Sequence, residues 1–475
     1  MKEDHWIGIH QSGNPAEPAE FRVRPGQSPD LLDRWSPFAD WLDRREDTEA
    51  LPFPLVGSGG GGSWFTGRTR AGRPLSGVNF AGSDHLNLAG HPRVIAAADA
   101  ALRRFGGLAA GGFAGIGGSA TGAALETALA AFSGYAEATL FPSGWVAGYA
   151  TVRTLLQPCD QVVAQTGLAG GPGEAVAASG ARRTLLPQIT PASLAPALRR
   201  LRAENLAAGI LVVAQSLSAQ DGRFADIGAV QDLCHRYRAT LLLDVSHDFG
   251  LLGQSGRGVM DLHAMTGRVD VITGGLSRAF ATNGGFVASN HRALRPALRH
   301  GDMATAGGTA LAPHQIAAAH EALILHNDAE GAGLRARLMA NVLQMRLRLA
   351  DAGFAPMGDP GPLVLIAAGT IGQARRATTL MQMAGVIVPL AEWPAVEGNT
   401  GIWRLQVMVH HRPRDFETVI SALKIARASA TASPCLQQPR RSQPTGTALP
   451  AVLAADNPLS PAISATRTLP PEWSL

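Results

Sequence analysis

Apolar and polar residues follow two rhythms along this chain. Short runs rich in branched apolar residues recur at Gln161–Ala164, Ile210–Ala214, Thr240–Val245 and Val269–Thr273, each bounded by turn residues. That pattern predicts buried strands of a parallel sheet. Between them lie longer stretches with helical spacing. Val94 to Phe105 reads as an alanine-rich helix, and Leu125 to Phe132 begins another. A long helical region runs from Leu311 to about Ala352. Beyond it Leu363–Ala367, Ile387–Pro389 and Trp403–Val409 predict a smaller sheet, closed by a helix from Pro413 to about Arg427. Strand–helix alternation of this kind indicates an α/β layered protein.

The pattern divides the chain. Residues 1–56 form a Pro- and acid-rich extension, with one short amphipathic helix from Pro37 to Arg45 that places Trp41 and Leu42 near Phe38. Residues 57–63, Gly-Ser-Gly-Gly-Gly-Gly-Ser, read as a flexible linker. A large domain is expected over 64–305 and a smaller C-terminal one over 306–428. Residues 429–475, rich in Pro, Ser, Thr and Gln, read as a disordered tail.

Composition narrows the function. Net charge is only +4 over 475 residues, and the basic residues are scattered, which argues against nucleic acid as a partner. No apolar run is long enough to span a bilayer and the N-terminus has no signal-peptide pattern, so a soluble cytoplasmic protein is expected. Cys159, Cys234 and Cys435 are far apart and give no metal-ligand spacing. Only two lysines occur, Lys2 and Lys424.

Candidate chemistry clusters at strand ends. Asp244 ends the run Thr240-Leu241-Leu242-Leu243, and the carboxyl ends of parallel strands are where α/β sheets hold ligands. His247 follows three residues later, then Gly253-Gln254-Ser255-Gly256-Arg257-Gly258, then Thr273-Gly274-Gly275-Leu276-Ser277-Arg278. Ser143-Gly144-Trp145 precedes a helical pattern, Ser216 opens Ser-Leu-Ser-Ala-Gln-Asp-Gly, Thr309 lies in Gly-Thr-Ala-Leu, and Arg404 lies seven residues before His411. Taken singly, each is a common turn or surface residue. Their order along the chain is distinctive.

In that order, roughly from Asn79 to Arg427, the motifs resemble the α-oxoamine synthases, which condense an amino acid with an acyl thioester on pyridoxal 5'-phosphate (PLP). The resemblance implies a PLP-dependent transferase fold, with a large mainly parallel α/β sheet domain, a smaller C-terminal α/β domain and sites at a dimer interface. It implies that Asp244 pairs with the pyridine nitrogen and that His247 contacts the phenolic oxygen. It gives Ser143, Gly144, Trp145, Ser216 and Ser277 to cofactor binding, Thr309 to a neighbouring subunit's phosphate, and Arg404 to the substrate carboxylate.

The departures are equally specific. Arg278 stands where the family has its Schiff-base lysine, and a guanidinium is not a nucleophilic amine. Gln165 to Gly171 replaces the stretch bearing the histidine that stacks on PLP, Phe113 replaces an arginine, Gly122 a histidine and His85 a tyrosine. Any PLP is therefore expected to be held non-covalently. Two functions of different class follow. One is a non-catalytic or supporting subunit, in a homodimer or paired with a lysine-bearing paralogue, as in heterodimeric serine palmitoyltransferase. The other is an active acyltransferase using acyl-CoA or acyl carrier protein, with another base in place of the lysine.

Overall fold

Branched apolar runs become strands wherever both faces can be covered. This computed structural model describes residues 28–47, 54–59, 61–108, 118–168, 170–301, 309–392, 396 and 399–431. Helix α1 (Ser36–Asp47) comes first, followed by strands β1 (Leu55–Gly57), β2 (Trp64–Thr69) and β3 (Pro74–Asn79). The side chain of Trp41, expected against Phe38, lies outside the described residues. The glycine–serine stretch differs from the expected linker where it is described. Gly57 pairs with Gly67, and the Ser58 N–H donates to the Thr66 carbonyl at 2.9 Å, so this stretch closes the hairpin between β1 and β2. Gly67 has to be a glycine there, because a Cβ would lie 2.2 Å from the Val56 carbonyl oxygen.

Helices α2 (Pro92–Phe105) and α3 (Ala120–Ser133) precede β4 (Glu137–Phe141), α4 (Gly144–Leu155), β5 (Gln161–Gln165), α5 (Gly170–Ala178) and β6 (Arg182–Leu186). Then come α6 (Pro191–Glu204), β7 (Ile210–Gln215), α7 (Ile227–Arg236), β8 (Thr240–Asp244), α8 (Val259–Leu262), β9 (Val271–Gly275) and β10 (Gly285–Ser289). These seven strands, β4 to β10, form one sheet in the order β4-β10-β9-β8-β7-β5-β6. Only β10 runs antiparallel to its neighbours. Leu241, Leu242 and Leu243 are fully buried in β8, each contributing roughly 1.5–3 kcal/mol of burial. The expected mainly parallel sheet is therefore present, and its carboxyl edge carries Asp244.

The C-terminal half contains α9 (Leu294–His300), α10 (Pro313–His326), α11 (Ala329–Asp351), β11 (Leu363–Thr370) and α12 (Ile371–Met383). It ends with β12 (Val386–Ile387), β13 (Leu390–Ala391), β14 (Thr400–Gln406) and α13 (Pro413–Thr431). Strands β11, β14 and β13 make a three-stranded antiparallel sheet. The run Ile387–Pro389 does not join it as expected. Instead β12 pairs parallel with β3, with Val386 opposite Val78 and Ile387 opposite Asn79. Two glycines permit this: a Cβ on Gly77 would lie 2.2 Å from the Gly385 carbonyl oxygen, which accepts the Val78 N–H at 2.8 Å. Strands β1 to β3 and β12, far apart in the chain, thus share one four-stranded sheet.

Candidate active site

The carboxyl edge of the seven-stranded sheet gathers most of the expected residues. Asp244 is half-buried at the end of β8, and its Oδ1 accepts the Ser246 N–H at 2.9 Å. Burial pushes its carboxyl above the ordinary range, opposed by the Ser246 hydrogen bonds and the Arg278 charge. Ser246 in turn accepts the Gly275 N–H on its hydroxyl at 3.2 Å, which ties the turn after β8 to the end of β9. His247 sits on that turn. Burial, then the charges of Arg278 and Arg404, hold its imidazole well below the ordinary value, so it is neutral. Its Nδ1 is buried with no hydrogen-bond partner among the described residues.

Arg278 lies on the turn following β9. Its Nη1 donates to Gln406 Oε1 at 3.4 Å, and Gln406 is itself fixed by donating Nε2 to the Ala81 carbonyl at 2.8 Å. Burial lowers the Arg278 pKa, Asp244 raises it and Arg404 lowers it. An arginine keeps its charge under such shifts. Arg404 stands two residues before Gln406 on β14 and so faces the same side of that strand. Its Nε is buried and has no partner among the described residues.

His85, one of the departures from the family pattern, belongs to this network. It is completely buried, its backbone N–H donates to the Arg278 carbonyl at 3.2 Å, and its Nδ1 donates to the Val407 carbonyl at 2.7 Å. Its Nε2 has no partner among the described residues. Burial drives its pKa down to about 3, against a weaker upward pull from Val407, with Arg278 and His411 adding to the fall. The imidazole is therefore neutral and offers only a lone pair.

Ser143 is the N-cap of α4 and accepts the Val146 N–H on its hydroxyl at 3.2 Å. The helix start is pressed against the sheet through glycines. A Cβ on Gly144 would lie 2.8 Å from Gly275 Cα, and one on Gly285 would lie 2.4 Å from the Ser143 carbonyl oxygen. The first amides of α4 are thereby aimed over the ends of β9 and β10, an arrangement suited to an anion. Trp145 is exposed and stacks on Tyr149 with ring centroids 5.1 Å apart. Ser277 is exposed beside Arg278.

Ser216 and Thr309 complete the expected ligands. Ser216 is fully buried, and its hydroxyl donates to Asp248 Oδ1 and lies 3.1 Å from the Asp244 carbonyl. Its one proton is held inside the protein, and it braces the turn after β8. Thr309 is exposed, with no hydrogen bond to the other site residues among the described residues. Where the family has its stacking histidine, Gln165 donates to Gln220 Oε1 at 2.8 Å, and Gln220 donates to the Gly167 carbonyl at 2.6 Å. Ala169 and Phe113 lie outside the described residues. Gly122 is buried one turn into α3, its N–H donating to Ser119.

Sequence reasoning missed Asp248, Gln406 and His326. Asp248 is fully buried, accepts the Val259 N–H at 2.7 Å, and has its carboxyl raised to about 7, mainly by burial. Its signal was the positive-φ glycine pattern at Gly253, Gly256 and Gly258, since a Cβ on Gly258 would strike Asp248. Among the described residues no cluster of His, Cys, Asp or Glu has metal-binding geometry, and no helix is long and apolar enough to cross a membrane.

Comparison with known proteins agrees with this geometry. Residues 76–423 match the family described as aminotransferase class I and II. The chain is 30% identical over 345 residues to an 8-amino-7-oxononanoate synthase of Trichlorobacter lovleyi, covering 72% of this chain and 87% of that protein. It is also 30% identical over 347 residues to a 2-amino-3-ketobutyrate coenzyme A ligase of Salmonella typhimurium, covering 73% and 86%. In fold it is similar to the serine palmitoyltransferase of Sphingomonas wittichii, with a TM-score of 0.77 at 23% identity, covering 85% of this chain and 100% of that one.

Proposed function

The chain belongs to the α-oxoamine synthase family within aminotransferase class I and II, and from that membership we propose that it supports a lysine-bearing paralogue without turning over itself. Arg278 carries this reading. Its guanidinium lies among the site residues, hydrogen-bonded to Gln406 and close enough to Asp244 and Arg404 for their charges to act on it. No amine takes its place: Lys424, the only lysine among the described residues, is exposed on α13.

The residues present fit PLP. Asp244 would pair with the pyridine nitrogen, the amides of Gly144 and Trp145 together with Ser277 would hold the phosphate, and Arg404 would take a substrate carboxylate. The unpartnered His247 Nδ1 and Arg404 Nε are buried polar atoms that a ligand would satisfy. When bound, PLP supplies an electron sink for the substrate's α-carbon. Held in this chain it would be non-covalent.

What this chain's own residues offer is binding without a strong base. Arg278 cannot accept a proton. Burial, and after it the field of Arg278 and Arg404, makes His247 a weak base at neutral pH. The absence of a lysine at 278 together with this weak base disfavours the alternative of an independently active acyltransferase drawing on acyl-CoA or acyl carrier protein.

The test uses the full chain alone and co-expressed with a Ser-Lys paralogue. Amino-acid-dependent thioester consumption is measured together with mass by light scattering. A dimer active only in the mixed preparation is expected. Thioester turnover by the chain alone overturns the reading, as does a monomer at micromolar concentration that retains no partner.

A further inference from the structure

A cavity of about 330 Å³ opens between α3 and α10. That lies at the small end of the range for small-molecule sites, roughly 300–1,000 Å³. None of its lining residues belongs to the group of site residues around Asp244 and Arg278. Its apolar walls are Phe132, Leu323 and Ile324, with Ala128 and Ala131 contributing small surfaces. Ile324 remains 43% exposed, an uncovered apolar rim.

The polar side of the cavity is cationic. Arg257 is held in place by its own hydrogen bonds, Nε donating to the Phe132 carbonyl and Nη1 to the Ser255 hydroxyl at 3.1 Å. Its Nη2 has no hydrogen-bond partner among the described residues, and neither has either ring nitrogen of the lining residue His320. Among the described residues no carboxylate lines the cavity. Glu321 and Asp328, the acids nearest in sequence, are both taken by Arg93, at 2.7 and 3.1 Å.

From these features we infer that the cavity binds a small organic monoanion with an apolar body, such as a medium-chain carboxylate. The carboxylate meets Arg257 and the chain lies along Phe132, Leu323 and Ile324. A fixed guanidinium loses little freedom on binding, which favours a charge-assisted hydrogen bond there. The apolar walls would reject inorganic phosphate, and the guanidinium would discriminate against a neutral alcohol of the same length.

Octanoate is the probe, titrated into the full chain by calorimetry with 1-octanol and inorganic phosphate as comparators. Saturable one-to-one binding of octanoate is expected, with both comparators weaker by about tenfold or more. Arg257→Gln should weaken octanoate by about tenfold. So should Ala131→Trp, which fills the cavity from an exposed position on α3 and leaves the internal bonds of Arg257 intact. Absence of saturable octanoate binding overturns the proposal. Equal affinity for octanol removes Arg257 from it, and unchanged affinity in Ala131→Trp places the ligand elsewhere; either result also overturns it.

Discussion

His326 donates its Nε2 proton to the carbonyl of Ala279 at 2.6 Å, fastening helix α10 to the turn that presents Arg278. Its other nitrogen lies 3.3 Å from Arg335 Nη1, and Arg335 reaches on to the His326 carbonyl at 2.9 Å and the Gln254 carbonyl at 3.3 Å. Phe280 packs against the imidazole with centroids 4.7 Å apart. One ring nitrogen must donate and the other accept, so the arrangement requires a neutral imidazole.

Acid should therefore undo this fastening. Burial lowers the His326 pKa to about 4, below the ordinary value of 6.5 that the unfolded chain would show. A group depressed in this way contributes fully above pH 6.5 and loses its contribution as pH falls toward 4. His411, lowered to about 4, and His85, lowered to about 3, act in the same direction. Urea unfolding at pH 7 and pH 5 is expected to show a clear loss at the lower value. His326→Leu should cost about 2–4 kcal/mol at pH 7, because the Ala279 carbonyl and Arg335 lose a partner, and should flatten the acid slope. An unchanged slope in that variant would remove His326 from the account.

Asp248 should behave with the opposite sign. Its carboxyl is raised to about 7 from an ordinary 3.8, so its ionisation weakens the fold as pH rises through that interval. Protonated, Asp248 can donate to Ser216, which then donates to the Asp244 carbonyl at 3.1 Å. Asparagine reproduces that chain, with Nδ2 donating to Ser216 and Oδ1 accepting the Val259 N–H. Asp248→Asn is thus expected to unfold at the same or higher urea concentration than the native chain at pH 8. Asp248→Leu should lose about 1–3 kcal/mol by stranding both partners. Destabilisation of the asparagine variant at pH 8 would mean that the ionised carboxylate is what the fold needs.

Arg278→Lys separates a missing anchor from a decayed pocket. With native protein and PLP, borohydride should fix no pyridoxyl group to residue 278, since no amine is present there. The lysine variant should acquire a borohydride-stable label, because Asp244, Ser143 and Ser277 remain to seat the cofactor. Condensation should stay near background. General acid–base groups contribute on the order of a hundredfold each, and Gln165 binds Gln220 where the family's stacking histidine would begin its loop. Peptide mapping after reduction reads the label, and thioester consumption reads turnover. A variant that takes no label shows that the retained Asp244 and His247 no longer bind PLP. Brisk turnover shows that Arg278 is a plug in an otherwise competent site.

The four adjacent strands β5, β7, β8 and β9 and the position of Asp244 were legible in the sequence because both depend on local pattern, whereas β4, β6 and β10 were not. A run such as Thr240-Leu241-Leu242-Leu243-Asp244 can be satisfied only by burial on both faces and a polar exit at the carboxyl edge. The same holds for the place of Ser143 just before a helix, which the helical pattern after it predicts. Pairings between segments far apart in the chain were not legible. His85 bonds Val407 across 322 positions, Ser216 meets Asp248 across 32, and β12 leaves the C-terminal sheet to pair with the distant β3. Local propensity fixes which backbone forms a strand and where it stops. Which buried donor meets which acceptor depends on how distant strands and helices pack, and only the tertiary structure decides that.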